Sequence, residues 1–223
     1  GDGTQKGAHE IADRIQERGL KISVVGIPKT IDNDIEYFDK TFGFDTAVDI
    51  ARSSIRSAHN EAISAYNGVG MVKVMGRDSG FIAVNTSLAN NDVNIVLIPE
   101  VEYPLENILK FLEKRFERKR HTVIVVAEGF GQNLFNNLCK DESGNAVFTD
   151  IGIYLKNKIN NYFEKKNIKI NLKYIDPSYL IRSLPANSSD AIFCLQLGQF
   201  ALHAGMMGRT DVLIGLVNNK FVH

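Results

Sequence analysis

Short apolar segments alternate along the chain with longer segments in which apolar residues recur every three or four positions. Residues 45–65 show the longer pattern most clearly, because their apolar positions return at helical spacing: Val48, Ala51, Ile55, Ala58 and Ala62. Further segments predict helices on the same ground: 8–18, 81–89, 105–118, 151–163 and 189–206. The chain is therefore predicted to be rich in helices separated by shorter elements.

The intervening apolar segments are short enough to be buried strands. They cover residues 22–27, 70–74, 93–98, 122–126, 168–174 and 212–217. Helices that alternate with short apolar strands are typical of parallel sheets covered by helices on both faces. The sequence therefore predicts an α/β fold, with a glycine-rich loop over 1–7 and a long surface excursion over 129–147.

Length and charge narrow the class of protein. The 223 residues, 44% of them hydrophobic, are enough for one large domain or two small ones. The 26 basic and 26 acidic residues cancel, so no overall positive field favours a nucleic-acid partner. No apolar run approaches the roughly 20 residues that span a bilayer, and no signal-peptide pattern opens the chain, so we expect no membrane partner.

The two cysteines bear on the cellular compartment of the protein, and the first residues bear on whether the sequence is a fragment. Cys139 and Cys194 are far apart and lack metal-ligand spacing, which favours two buried, reduced thiols in a cytoplasmic protein. The chain opens abruptly on Gly-Asp-Gly-Thr, which resembles the middle of a motif. We therefore expect the sequence to be a fragment of a longer protein.

The densest group of chemically capable side chains follows the predicted strand 22–27. Pro28 ends that strand, and a cation, a hydroxyl, an amide and two carboxylates come directly after it: Lys29, Thr30, Asp32, Asn33 and Asp34. Ligands of open α/β sheets bind beyond the carboxyl ends of the strands, so this segment is a candidate site. The alternative is a polar turn, because Asn and Asp favour turns by themselves. Both interpretations stay open on these residues alone.

A second candidate is the glycine-rich opening of the chain, which comprises Gly1, Asp2, Gly3, Thr4 and Gly7. Glycine lets backbone N–H groups approach phosphate oxygens, and the N-terminus of the helix that follows favours an anion. Asp2 could hold Mg²⁺, a cation that prefers carboxylate and phosphate oxygens. The alternative is a glycine turn with an aspartate cap.

Two further strand ends carry charged residues. Met75, Gly76 and Arg77 follow one predicted strand, and Arg77 is a candidate for stabilising charge on a transferring phosphoryl group. The alternative there is a surface arginine with Ser79 as a helix N-cap. Glu128 follows another strand, where its carboxylate would accept hydrogen bonds from a polyol or would be an ordinary strand-end residue.

The last candidate group lies at the end of the predicted strand 168–174. Tyr179 and Arg182 are close in sequence, with Lys173 just before them. A tyrosine hydroxyl with two cations suits a phosphate monoester. The alternative is an aromatic packing residue beside a solvated arginine.

These motifs occur in the order seen in 6-phosphofructokinases, which the chain resembles over nearly its whole length. The strings that carry the resemblance are Pro-Lys-Thr-Ile-Asp-Asn-Asp (28–34), Met-Gly-Arg (75–77), Pro-Glu (99–100), Ala-Glu-Gly (127–129) and the run from Tyr174 to Arg182. In detail they are most similar to the plant- and trypanosome-type branch of the ATP-dependent enzymes.

The resemblance implies an architecture. It implies two Rossmann-like three-layer lobes with mostly parallel sheets and an active site in the cleft between them. It also implies a nucleotide-binding lobe that begins over 1–42, a sugar-phosphate-binding lobe over 43–181, and a return to the nucleotide-binding lobe over 182–223.

The resemblance further implies roles in phosphoryl transfer from ATP to the 1-hydroxyl of fructose 6-phosphate, a step of glycolysis. Asp32 would be the base that takes the proton from that hydroxyl. Thr30 and Asp34 would support the reacting centre, with Lys29 adding positive charge near the transferring group. Arg77 would stabilise the transferring phosphoryl group. Four of these residues would also bind the substrate: Thr30, Asp32, Asp34 and Arg77.

The remaining candidate residues would bind substrates, again by resemblance. The sugar would contact Met75, Gly76 and Glu128. The region of the 6-phosphate would be met by Tyr179, Arg182 and Lys173. The nucleotide would lie against Gly1, Asp2, Gly3, Thr4 and Gly7, with Asp2 positioning Mg²⁺. Because Lys173 would reach across a subunit interface, the resemblance also implies a homo-oligomer, either a dimer or a tetramer.

The chain departs from the compact bacterial members of the family in its phosphate-binding residues. Tyr179 stands where they have His, Lys173 where they have Arg, and Gly68 near a position where they have a further Arg.

Two residues give conflicting indications of the phosphoryl donor. Lys29 is usual in pyrophosphate-using members, but those members typically have Asp in place of Gly3. Because glycine leaves open the space of the nucleotide α-phosphate, we expect ATP with Mg²⁺. The alternatives are a pyrophosphate-dependent enzyme and a non-catalytic regulatory subunit that binds sugar phosphate.

Overall fold

The computed structural model describes residues 2–135 and 148–223. Its α-helices in these ranges are α1 (Asp2–Glu17), α2 (Phe44–Ser64), α3 (Phe81–Leu88), α4 (Leu105–Phe116), α5 (Ile151–Lys165), α6 (Ser178–Arg182) and α7 (Ser188–Met206). Its strands are β1 (Val25–Gly26), β2 (Gly68–Val74), β3 (Ile95–Leu97), β4 (His121–Ala127), β5 (Asn171–Ile175), β6 (Val212–Leu213), β7 (Gly215–Val217) and β8 (Lys220–Val222). The chain forms two compact units, unit 1 (Gly1–Thr46 and Leu184–His223) and unit 2 (Ala47–Ser183), and each is described by itself.

Unit 2 is built on a four-stranded sheet in the order β3-β4-β2-β5, and every neighbouring pair is parallel. The two central strands, β2 and β4, are buried almost throughout and are nearly continuous apolar runs, as expected of parallel strands covered on both faces. Because the strands are parallel, their carboxyl ends lie at the same edge of the sheet. Met75, Glu128 and Asp176 follow β2, β4 and β5 at that edge.

Alternate residues of β2 face opposite layers of helices. Val69 and Met71 belong to one apolar core with buried side chains of α4 and α5, namely Ile108, Leu109, Leu112, Ile151, Leu155, Ile159 and Phe163. Gly68 and Gly70 face α2, since a Cβ at either position would overlap a backbone carbonyl oxygen of that helix. Glycine therefore lets α2 lie close against the sheet, and position 68 has no room for a side chain.

Unit 1 contains a parallel pair of short strands, β1 and β6, and an antiparallel hairpin of β7 and β8. Asn218 and Asn219 form the two-residue turn of the hairpin with φ of 50° and 59°, as a type I′ turn requires. Its apolar core joins α7 to the strands through buried side chains: Phe193, Leu197, Ala204 and Ile214.

A fully buried carboxylate, that of Asp190 in α7, joins two helix starts in unit 1. It accepts hydrogen bonds from the N–H groups of Gly43 (3.0 Å) and Thr46 (2.8 Å) and from the Thr46 hydroxyl (2.6 Å). Asn187 caps α7 by accepting from the N–H of Asp190 at 2.9 Å. A buried carboxylate requires such donors, because burial without them strongly disfavours the charge. Asp190 therefore anchors the end of the loop that carries the candidate site after β1.

The predicted α/β class with mostly parallel sheets is confirmed, but several local predictions are wrong. The predicted loop 1–7 is helical from Asp2 onward, as the start of α1. Of the predicted strand 22–27, only β1 pairs with a neighbour. The predicted strand 212–217 is two strands, β6 and β7, and β8 follows them. The short helix α6 lies where the apolar spacing predicts none.

The predictions about the cysteines and about membrane-spanning segments can be compared with the structure only over residues 2–135 and 148–223. Cys194 is half-buried on α7 rather than buried, and partial burial raises the pKa of its thiol. Cys139 lies outside the described residues, as does most of the predicted surface excursion, 136–147. Among the helices described, none is both long and apolar enough to cross a membrane.

Candidate functional site

The polar motif of unit 1 lies in a closed loop between β1 and α2. Pro28 is buried, and an isolated β-bridge joins Lys29 to Phe42 near the end of the loop. Asn33 has a left-handed conformation, with φ of 57°, and accepts a hydrogen bond from the N–H of Thr41 at 2.8 Å. Asn33 thus has the role expected of a turn residue, and it holds the neighbouring polar residues in a fixed loop.

Thr30 lies between the two carboxylates of this loop. Its hydroxyl can donate to Asp32 Oδ2 at 3.4 Å or to Asp34 Oδ1 at 3.3 Å, and it accepts from the N–H of Asp32 at 3.0 Å. A hydroxyl has one hydrogen, so it donates to only one carboxylate at a time. Asp32 is half-buried, whereas Asp34 and Lys29 are exposed. A half-buried carboxylate oriented in this way can accept a proton from a bound hydroxyl.

The predicted nucleotide residues lie in the first two turns of α1. Gly3 and Thr4 are exposed in the first turn, whose N–H groups have no partner inside the helix and so suit an anion. Gly7 is in the second turn, where its N–H belongs to the hydrogen-bond ladder of the helix and does not suit a phosphate. Asp2 is the first residue of α1, and Gly1 lies outside the described residues.

In unit 2 the turn after β2 is held by the two residues that follow β4. Arg77 has φ of 46°, and its N–H donates to Glu128 Oε1 at 2.9 Å. Its carbonyl oxygen lies against Gly129, where a Cβ would overlap it. Gly76, with φ of 142°, accepts hydrogen bonds from both the N–H and the hydroxyl of Ser79, at 2.8 and 3.0 Å. The structure thus brings Arg77 and Glu128 together and leaves the arginine exposed.

Glu100, rather than Ser79, caps the helix that follows this turn. Gly80 is the N-cap residue of α3, and its N–H donates to Glu100 Oε1 at 2.7 Å. A carboxylate at a helix N-terminus is favourable because it complements the helix dipole. The segment from Arg77 to Gly80 is therefore held at both ends by carboxylates. Met75, two residues before Arg77, is half-buried.

Tyr179 and Arg182 lie together on α6, and Lys173 lies on β5. The Arg182 guanidinium carbon is 4.7 Å from the centroid of the Tyr179 ring, which is a cation–π contact. Tyr179 is 71% exposed, and Lys173 and Arg182 are also exposed. A ring this exposed is not a core residue, and phosphate binding by Tyr179 and Arg182 stays a prediction.

A charged cluster at the carboxyl edge of the same sheet is missing from the sequence predictions. Lys73, the one charged residue of β2, forms ion pairs with Asp150 at 3.2 Å and Asp176 at 2.8 Å, and its side chain is only 13% exposed. Asp150 also caps α5 and accepts a hydrogen bond from the Tyr174 hydroxyl at 2.8 Å. The lysine is visible in the sequence because it interrupts an apolar strand, and a buried lysine must be paired. Its partners lie far along the chain, and only the fold identifies them.

The pKa shifts in this cluster agree with one another. Burial by itself would raise the pKa of Asp150, but hydrogen bonds from Tyr174, a backbone N–H and Lys73 outweigh it and hold that pKa below its usual value. Burial would lower the pKa of Lys73, but the two carboxylates hold it above its usual value. Burial and Asp150 raise the pKa of Tyr174. These groups keep their ordinary charges at neutral pH, so the cluster is a fixed network rather than a proton-transfer site.

A cavity of about 480 Å³ lies next to the Arg77 turn in unit 2. Three aromatic side chains contribute to its lining, Tyr103, Phe130 and Tyr154, and Gly129 belongs both to its wall and to the Arg77 turn. Neither Arg77 nor Glu128 contributes to its lining. We therefore locate the candidate site of unit 2 by its charged groups and not by this cavity.

No preformed metal centre is found within residues 2–135 and 148–223, because no three His, Cys, Asp or Glu side chains converge there as cation ligands would. Mg²⁺ in phosphoryl-transfer sites commonly uses only one or two carboxylates and takes its other ligands from phosphates and water. Asp2, the residue predicted to position Mg²⁺, is the first residue of α1, and a helix N-terminus suits a phosphate.

Comparison with known sequences gives a match over nearly the whole chain. The family profile described as Phosphofructokinase matches residues 1–205. The chain is 55% identical over 234 residues to the ATP-dependent 6-phosphofructokinase of Borreliella burgdorferi, covering 100% of this chain and 52% of that protein. It is 49% identical over 230 residues to ATP-dependent 6-phosphofructokinase 7 of Arabidopsis thaliana, covering 99% and 47%. The chain spans about half the length of these curated relatives.

Solved structures are similar in fold at low sequence identity. The crystal structure of a pyrophosphate-dependent phosphofructokinase from Marinobacter aquaeolei gives a TM-score of 0.74 at 21% identity, over 98% of this chain and 54% of that one. Pichia pastoris phosphofructokinase in the T-state gives a TM-score of 0.74 at 20% identity, over 100% and 25%. At this level of identity the likeness concerns the fold alone.

Proposed function

The chain belongs to the phosphofructokinase family, and from that premise we propose that the protein containing it is an ATP-dependent 6-phosphofructokinase. It would transfer the γ-phosphoryl group of ATP to the 1-hydroxyl of fructose 6-phosphate, giving fructose 1,6-bisphosphate and ADP in glycolysis. The observation that carries the proposal is the closed loop after β1, in which the Thr30 hydroxyl lies between Asp32 and Asp34. The 55% identity to a protein named for this activity supports it.

Asp32 is the proposed general base. Its carboxylate takes the proton from the sugar 1-hydroxyl, the oxygen forms a bond to the γ-phosphorus, and the bond from that phosphorus to the bridging oxygen breaks to release ADP. The Asp32 N–H donates to the Thr30 hydroxyl at 3.0 Å, so the loop orients the acid–base group before substrate binds. Lys29 is exposed on the same loop and adds positive charge where phosphate charge develops.

Unit 2 supplies the proposed sugar-phosphate residues. Arg77 would stabilise the negative charge of the transferring phosphoryl group, and its left-handed backbone is fixed by Glu128 and Gly129. Glu128 uses one carboxylate oxygen for the Arg77 N–H, and a carboxylate has a second oxygen that can accept from sugar hydroxyls. Tyr179, which stands where the compact bacterial enzymes have His, would bind the 6-phosphate together with Arg182, which stacks on its ring.

Unit 1 supplies the proposed nucleotide residues at the start of α1. The first-turn N–H groups of Gly3 and Thr4 suit a phosphate, and Asp2 would hold Mg²⁺ together with phosphate oxygens. When bound, Mg²⁺ would neutralise charge on the transferring phosphates. Gly7 is the weakest member of this predicted group because its N–H lies within the helix ladder.

The choice of ATP over pyrophosphate rests on Gly3. A Cβ there would have nothing in the described part of the chain within 4 Å, so the position is open toward a ligand. An aspartate, as in pyrophosphate-using members, would add like charge beside the nucleotide α-phosphate. Lys29 strengthens attraction to either donor and does not exclude one of them. The non-catalytic alternative is disfavoured because Asp32 and Arg77 are both present.

We also propose a homo-oligomer, a dimer or tetramer, located in the cytoplasm. Lys173 is exposed on β5, which suits a cation that reaches the 6-phosphate bound to a second copy. The cytoplasmic location follows from the proposed role in glycolysis.

The proposal is tested with the full-length protein, fructose 6-phosphate and Mg²⁺, with ATP or pyrophosphate at matched concentrations. We expect turnover with ATP, with a product phosphorylated at both the 1- and 6-positions by phosphorus NMR. Gly3→Asp should lower kcat/KM for ATP about tenfold or more, as a like charge opposed to a phosphate would. Gly3→Ala adds a Cβ without charge and serves as the control. Efficient turnover with pyrophosphate and little with ATP in the wild type would overturn the choice of donor.

A further inference from the structure

Lys73 connects the starts of two helices in unit 2 through the carboxylates that accept its ion pairs. One of them, Asp150, is the N-cap of α5 and accepts from two N–H groups of its first turn, at 2.9 and 3.2 Å. The other, Asp176, accepts from the N–H of Ser178, the first residue of α6, at 3.1 Å. A single ammonium group therefore links the two helix starts at the carboxyl edge of the sheet.

The Asp150 side of this link is rigid. Its carboxylate is held by the α5 cap and by the Tyr174 hydroxyl, which lies 2.8 Å from one oxygen and 3.1 Å from the other. Gly152, in the first turn of α5, packs against the Tyr174 ring so closely that a Cβ there would overlap it. Lys73 and Asp150 thus form a fixed point at the sheet edge.

Asp176 connects Lys73 to the residues that are proposed to bind the 6-phosphate. Val72 is paired with Ile175, so Lys73 and Asp176 are the next residues in the same register, just beyond the paired ladder. Asp176 is followed at once by α6, a helix of five residues that carries Tyr179 and Arg182. Both side chains are exposed, so packing of the side chains themselves contributes little to their placement. Ile181 is buried and anchors the later part of α6, so Asp176 sets the position of its first turn.

We propose that Lys73 is a positioning residue for the sugar 6-phosphate: it fixes Asp176, and through it the start of α6, so that Tyr179 and Arg182 are held ready for the phosphate. This inference rests on the proposed function. Without the ammonium group, two carboxylates would face each other in a half-buried site and repel, and Asp176 would move because Asp150 is held by other bonds. The displacement would be passed to α6 and weaken binding of the 6-phosphate.

The test is a comparison of Lys73→Met and Lys73→Arg in the full-length protein. Lys73→Met keeps an unbranched side chain of similar length but removes its charge. We expect KM for fructose 6-phosphate to rise about tenfold to a hundredfold, because small misplacements of binding groups have effects of this size. KM for ATP should stay within about twofold, since α6 is not part of the proposed nucleotide site, and kcat should change less than KM for the sugar phosphate. Lys73→Arg restores the charge and should recover most of the affinity.

Lys166→Met is the matched control. It removes an ion-paired lysine of the same unit, one that contacts Glu113 at 2.6 Å and has no part in the α6 link. We expect it to leave KM for fructose 6-phosphate unchanged. If Lys73→Met fails to fold, Asp176→Asn breaks the same link from the other end and should raise the same KM.

The outcomes separate this inference from the function on which it rests. A wild type that does not phosphorylate fructose 6-phosphate overturns both. An active wild type in which Lys73→Met or Asp176→Asn leaves KM for the sugar phosphate unchanged overturns the positioning role alone. Equal rises of KM for the sugar phosphate and for ATP, or no recovery in Lys73→Arg, would show a general structural role and overturn it as well.

Discussion

Gly129 shows how a single missing side chain shapes the candidate site. The Arg77 carbonyl oxygen occupies the space that a Cβ at position 129 would need, and the Arg77 N–H is held by the neighbouring Glu128. Gly129→Ala should therefore push the Arg77 turn away and lower kcat/KM for fructose 6-phosphate about tenfold to a hundredfold. The overpacking should also cost about 1–3 kcal/mol in the free energy of unfolding. Steady-state kinetics and denaturant unfolding of the full-length protein measure both effects.

The control for this change is Gly198→Ala in α7, where nothing in the described part of the chain lies within 4 Å of the added Cβ. Alanine is the better helix former, so this variant should keep its activity and gain up to about 1 kcal/mol in stability. Wild-type kinetics in Gly129→Ala would contradict the fixed position assigned to Arg77.

Single residues could be predicted where the chemistry is local. Asp32, Thr30 and Asp34 stand close in sequence after one predicted strand, and the structure joins them by hydrogen bonds within that loop. Lys73 and Glu100 could not be placed in this way, because their partners come from other elements. What the sequence does show is the anomaly: a lysine within the apolar strand β2.

At the scale of elements, the charge of Asp150 ties α5 to the edge of the sheet. Its folded pKa is held below the usual value, so the carboxylate form is favoured in the folded state. Its contribution to stability is therefore present above the unfolded pKa of about 3.9 and is lost as the pH falls through the folded value. Asp150→Asn keeps a capping oxygen but removes the charge, and should cost about 1 kcal/mol at pH 7.

Urea unfolding of wild type and Asp150→Asn across pH 2 to 7 measures this dependence. We expect the difference in unfolding free energy to be constant above the unfolded pKa and to shrink toward zero at the acid end. A difference that does not change with pH would contradict the charge interactions assigned to Asp150.

Elements were predictable where burial gives a long periodic signal, as in α2, α5 and α7, or a continuous apolar run, as in β2 and β4. α1 departs from the prediction because Gly3 and Gly7 are helical there, although each costs a helix about 1 kcal/mol relative to alanine. The strand before Pro28 is shorter than its apolar run because β6, its paired neighbour, offers only two residues. α6 has too few residues to show a period.

At the scale of the whole molecule, alternating helices and apolar strands were sufficient to predict an α/β chain with parallel sheets. The strand order β3-β4-β2-β5 was not available from that pattern, because it depends on which crossovers pack best. The order matters for function, since it brings the ends of β2, β4 and β5 to one edge with Arg77, Glu128 and Asp176. The roles of units 1 and 2 as nucleotide and sugar-phosphate lobes stay predictions.

The central claim is that the loop after β1 carries the general base of a phosphofructokinase, and kcat of Asp32→Asn in the full-length protein tests it most directly. With saturating ATP, Mg²⁺ and fructose 6-phosphate, we expect kcat to fall about 10²- to 10⁴-fold, with KM for the sugar phosphate within a few-fold of wild type. Glu36→Gln, an exposed acid-to-amide change in the same loop, should leave kcat unchanged. A kcat for Asp32→Asn close to that of the wild type would contradict the claim.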